Sequence, residues 1–130
     1  MSQLQNFYDI KNVQNIDDKQ YQFTLHINKD HEIFKGHFPE NPVTPGVCML
    51  QIIKELTESQ TEQKLQMKSA KNIKFMAIIN PVETPQILVD LNLDKDDNTN
   101  DFIVKSNFSY EDPTTKESTM ALKFSGIFSS

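Results

Sequence analysis

Hydrophobic and polar residues alternate along much of the chain, and the alternation breaks at a few sharply marked places. Phe7 to Gln14 reads as a first strand, closed by a polar turn around Asn15-Ile16-Asp17-Asp18. Tyr21, Phe23, Leu25 and Ile27 then alternate with Gln20, Gln22, Thr24 and His26, the period of two of a half-buried strand. From His31 to Gly46 the alternation stops. Three prolines and two glycines there specify an irregular, rigid loop. Thr44-Pro45-Gly46-Val47 reads as a helix start, with Thr44 as N-cap, Pro45 in the first helical position, and the helix running to Ser59 or Gln60.

Four strand-like segments follow. Ile73, Phe75, Ala77 and Ile79 alternate up to Asn80-Pro81; Ile87, Val89, Leu91 and Leu93 form the next face. Phe102, Val104, Ser106 and Phe108 come after the acidic turn Asp94–Asp101, and Met120, Leu122, Phe124, Gly126 and Phe128 after Asp112-Pro113-Thr114-Thr115. Strands, one long helix and four strands joined by short hairpin-like turns predict an α+β fold with an antiparallel sheet. Val47, Cys48, Met49, Leu50, Ile52 and Ile53 leave no polar stripe on the first two helical turns. A helix of that kind is a buried one, around which the sheet wraps. Gln51 is then a lone polar side chain that needs a partner.

Composition narrows the function classes. The 130 residues are expected to form one domain, 1–130, large enough to bury a core without staples. All basic residues are lysines and the net charge is −5, which argues against nucleic-acid binding. One cysteine cannot form an internal disulfide, and no apolar run approaches the roughly 20 residues of a membrane span. The first residues lack both the basic start and the apolar stretch of a signal peptide, so a cytoplasmic location is expected.

The loop and helix start together read Gly36-His37-Phe38-Pro39-Glu40-Asn41-Pro42-Val43-Thr44-Pro45-Gly46-Val47. This run resembles the FabA/FabZ-type β-hydroxyacyl-acyl-carrier-protein dehydratases of the hot-dog fold, whose signature is G-H-F-P-x-x-P-x-x-P-G-V. Lys71-Asn72-Ile73-Lys74-Phe75 and Pro81-Val82 look like the family's strand after the central helix and the turn beyond it. The resemblance implies an antiparallel sheet around one helix and dehydration of 3-hydroxyacyl thioesters to 2-enoyl thioesters. It implies no cofactor and no metal. As partners it implies an acyl carrier protein bearing a phosphopantetheine-linked acyl chain, and a second hot-dog subunit.

By the same resemblance His37 is the base that takes the α-proton, a task suited to an imidazole near neutral pH. The Gly46 or Val47 amide, at the positive end of the helix, would hold the thioester oxygen. Phe38, Pro45, Gly46 and Val47 are the implied substrate-binding residues. The chain departs from the pattern at the acid. Four residues beyond the valine the family carries a carboxylate; this chain has Gln51, and Glu55 stands one turn later, where glutamine is common. Residues i and i+4 share a helix face, so Glu55, about 6 Å along the axis, is a possible substitute acid. A heterodimer with a related chain would supply the acid instead.

Lys64, Lys68, Lys71 and Lys74 form a stretch free of acidic residues, a candidate docking patch for an acidic carrier or simply a solvated face. Two rivals remain: an acyl thioesterase of the same fold, and a non-catalytic or partner-dependent acyl-carrier-binding subunit. Asp94–Lys105 fails as a calcium loop because Thr99 and Lys105 stand where glycine and glutamate are needed. His31-Glu32 lacks the second histidine of a zinc motif. Cys48 reads as a small core residue and His26 as a solvated one.

Overall fold

The computed structural model describes residues 6–35 and 42–130. Strands β1 (Tyr8–Asn15) and β2 (Gln20–Ile27) lead through a 3-10 turn, Glu32–Phe34, to helix α1 (Gly46–Thr61). Strands β3 (Gln66–Phe75), β4 (Gln86–Lys95), β5 (Phe102–Glu111) and β6 (Ser118–Ser129) follow. All pairings in the six-stranded sheet are antiparallel, and the strand order is β1-β2-β4-β5-β6-β3. The expectation of hairpins throughout the second half therefore needs one correction. β3 does not pair with β4; it crosses to the far edge and pairs with β6.

One row of side chains shows how sheet and helix fit. Val13, Phe23, Val89, Phe108, Leu122 and Phe75 lie opposite one another across all six strands. The four central members are fully buried, whereas Val13 is 46% exposed and Phe75 is 51% exposed. Strands about 4.8 Å apart make the sheet roughly twice as wide as a helix with its side chains, about 10–12 Å. The helix therefore covers the middle of the sheet and leaves both margins open. Cys48, Met49, Ile52, Ile53, Leu56 and Thr57 are its buried face, and Thr57 satisfies its hydroxyl on the Ile53 carbonyl at 2.8 Å.

Three further boundaries differ from the periodicity. Val47, expected inside an all-apolar buried helix, is 70% exposed and stands outside the buried face of α1. β3 ends at Phe75, so Ala77 and Ile79 are not strand residues; Ile79 is buried by a loop whose carbonyl accepts from the Thr44 amide at 2.9 Å. In β6 the buried phase passes from Leu122 to Ala121, with Met120 only half-buried, because the pairing slips between Phe108 and Ser109.

Candidate active site

The helix begins one residue later than expected. Pro45 is the N-cap, in extended conformation with φ −63° and ψ 143°, and Gly46 is the first helical residue. Thr44 does not cap: its amide is committed to Ile79, and its buried hydroxyl has no hydrogen-bond partner among the described residues. Proline supplies no side-chain acceptor, and the first-turn amides of Gly46 and Val47 have no intrahelical acceptor. Among the described residues no side chain caps the positive end of α1. Beside it lies Phe75. A Cβ on residue 46 would sit 2.7 Å from Phe75 Cζ, so only glycine lets this ring rest against the helix start.

Along the helix, Gln51 and Glu55 meet as their spacing requires. Gln51 Nε2 donates to Glu55 Oε2 at 3.1 Å. The other carboxylate oxygen accepts from Tyr8 Oη at 2.9 Å, a contact spanning 47 positions of sequence. Burial raises the Tyr8 phenol well above the usual tyrosine range, and the hydrogen bond and negative charge of Glu55 raise it further. Glu55 is thus held between two donors, Gln51 on one carboxylate oxygen and Tyr8 on the other.

Tyr8 is the participant that sequence reasoning missed. It opens β1 opposite Ile27, next to Phe7, which is fully buried. The Phe7 ring stacks on Phe34 with centroids 5.5 Å apart and meets His31 edge-on at 5.2 Å. His31 in turn accepts the Ile33 amide on Nδ1 at 3.1 Å, capping the 3-10 turn. Two successive residues, Phe7 just before β1 and Tyr8 at its start, thereby fasten both the root of the loop and the helix carboxylate. Gly36, His37 and Phe38 lie outside the described residues.

The four lysines expected to dock a carrier lie on β3 and the turn before it. Lys68 forms an ion pair with Asp101 at 2.8 Å, while Lys64, Lys71 and Lys74 are exposed. The β3 register slips where Lys68 and Lys71 are inserted, and Lys74 lies opposite Lys123 on the outer face. Cys48 is buried, which pushes its thiol up, and His26 is exposed opposite Asp9. Among the described residues no group of His, Cys, Asp or Glu could hold a metal ion. No described helix is long and apolar enough to cross a membrane.

A helix half-wrapped by an antiparallel sheet is the frame of the hot-dog fold. Residues 13–121 match the ApeI-like family, described as ApeI dehydratase, and the chain belongs to that family. A 3-hydroxyacyl-[acyl-carrier-protein] dehydratase FabZ from Novosphingobium aromaticivorans is 32% identical over 74 residues, covering 52% of this chain and 46% of the relative. Another FabZ, from Rickettsia typhi, is 34% identical over 62 residues, covering 42% and 43%. The matches thus span less than half the length of these curated relatives. In the dehydratase heterocomplex ApeI:P from Xenorhabdus doucetiae, one chain has the same fold, with a TM-score of 0.73 at 15% identity over 94% of this chain and 97% of that one. Both the family type and the hot-dog fold implied by the loop signature are therefore found.

Proposed function

We propose that the protein dehydrates 3-hydroxyacyl thioesters, carried on the phosphopantetheine arm of an acyl carrier protein, to 2-enoyl thioesters. The observation that carries this reading is the Gln51–Glu55 pair on the face of α1, at the end of the family's loop signature. His37 is the base, and the Gly46 or Val47 amide stabilises charge on the thioester oxygen. The C2–H bond breaks to His37 and the C2–C3 double bond forms as the C3–O bond breaks. The proton taken from C2 is returned to the departing hydroxyl, which leaves as water. The reaction balances without an external acid, so a glutamine at position 51 is compatible with turnover.

Assembly is part of the reading. β3 is exposed along its whole length, and Ile73, Phe75, Met76 and Ile78 present apolar surface beside the helix start. A long unpaired edge of that kind is normally covered. We assign it to a second hot-dog subunit, either another copy or a related chain, as the ApeI:P heterocomplex is by its name. A related chain would also supply a carboxylate opposite His37. Turnover of a 3-hydroxyacyl carrier by wild type, Gln51→Glu and Glu55→Gln separates these cases. Activity in purified wild type supports the self-sufficient mechanism; activity appearing only in Gln51→Glu marks a chain that depends on a partner's acid.

A further inference from the structure

Resting on the dehydration reading, we infer that the outer face of β3, β6 and β5 is where an acidic acyl carrier protein docks. The observation behind it is a like-charge pair. Lys74 of β3 stands directly opposite Lys123 of β6. Their neighbours Phe75 and Leu122 also face each other, and Leu122 is fully buried, so the two lysines share the outer face. Lys123 is in turn opposite Asn107, two residues from Lys105 on the same face of β5. Three exposed lysines thus occupy adjoining positions, the first two with Cβ atoms about 5 Å apart and the third on a diagonal of about 7–8 Å.

Like charges directly opposite each other weaken a sheet, and among the described residues no carboxylate forms an ion pair with any of the three. Asp90 and Asp94 lie on the diagonals from Lys105. Asp90 accepts from Gln22 Nε2 at 3.1 Å, however, and Asp94 is paired with Lys19 at 3.2 Å. β3 itself adds Lys68 and Lys71 and no acid. A second copy paired along β3 would therefore bring more lysines and no carboxylates.

On a chain of net charge −5, such a concentration fits an acidic protein surface that supplies the missing carboxylates. Its position fits delivery as well. Lys74 adjoins Phe75, whose ring lies against Gly46 at the helix start. A carrier seated here holds its acyl arm beside the margin where the thioester is proposed to bind.

The test uses the opposed effects of one charge on stability and on docking. Lys74→Glu turns the like pair into an opposite pair. Its urea midpoint should rise above that of wild type, while affinity for holo-acyl carrier protein from the same organism, by calorimetry, falls about tenfold. Lys74→Glu/Lys123→Glu restores a like pair, so the midpoint should return towards wild type while affinity falls further. Lys29→Glu, the same charge change beyond the end of β2, should bind the carrier within about twofold of wild type. An equal loss in Lys29→Glu reduces the effect to net charge, and an unchanged affinity in Lys74→Glu removes the surface; either overturns the proposal. Oligomers lost in Lys74→Glu, with no carrier binding by wild type, assign the face to a second copy and overturn it too. Dehydration of a pantetheine-linked 3-hydroxyacyl substrate, followed in parallel, should be unchanged in every variant. Carrier binding that responds as expected without turnover counts against the dehydration reading and leaves the docking face standing. Turnover with carrier affinity unmoved by Lys74→Glu removes the docking face alone.

Discussion

Phe75 and Gly46 touch across the open margin of the sheet: the aromatic ring at the end of β3 occupies the space where any other residue at position 46 would place its Cβ. This joins the exposed edge strand to the start of the helix, where the thioester is proposed to bind. Gly46→Ala should therefore displace the ring and destabilise the fold by about 1 kcal/mol, at the low end for overpacking because the ring is half exposed. Urea denaturation of a double-mutant cycle checks it: most of the loss should vanish in a Phe75→Ala background.

The raised Tyr8 phenol has a pH signature. The native state holds the Tyr8 proton more tightly than the unfolded chain does, so its contribution is complete below the ordinary tyrosine range. Above about pH 10, the ordinary tyrosine value, the unfolded state releases that proton first and stability declines. Denaturation midpoints of wild type and Tyr8→Phe, measured from pH 8 upward, should run parallel at first. Above about pH 10 wild type should lose stability faster. Parallel behaviour throughout would show that Tyr8 is not held as described.

Lys116 adopts φ 65° in the turn between β5 and β6. Its amide closes the turn on the Asp112 carbonyl at 2.9 Å, and the Asp112 carboxylate accepts the Thr114 and Thr115 amides. The equivalent residue in the preceding hairpin is Asn100, at φ 63°, a residue type that tolerates this conformation. Lys116→Gly should raise stability by about 0.5–1 kcal/mol, read from the urea midpoint at unchanged slope.

Ile73 pairs with the buried Phe124 across β3 and β6, yet it is 38% exposed. Ile73→Lys should leave the secondary structure intact and abolish the proposed assembly through β3, read as a monomer in sedimentation velocity where wild type is a dimer. An unchanged dimer would remove β3 as the proposed interface.

The alternating strands were legible because each buries one face against a single helix. Phe23, Leu25, Ile27, Ile87, Val89 and Leu91 are all fully buried, as their period indicates. Where the pattern misled, the cause is identifiable. Every residue of β3 is exposed, so its apolar residues carry no information about its partner, and its crossing to β6 is set by the whole sheet. The helix starts one residue late, at Gly46 with Pro45 as N-cap, and the buried Thr44 hydroxyl caps no amide among the described residues. Glu55 and Gln51 were visible as a pair from their spacing. Tyr8 was not, because nothing near position 8 signals a carboxylate 47 residues away.

The central claim is tested most directly by following 2-enoyl thioester formation from a 3-hydroxyacyl carrier protein, with hydrogen or deuterium at C2. Wild type and His37→Ala are compared, alone and with any co-purifying hot-dog partner. The account predicts turnover by wild type, a slower rate with deuterium, and a loss of at least about 100-fold in His37→Ala, the usual scale of a general base. A robust wild-type rate left unchanged by His37→Ala would contradict it.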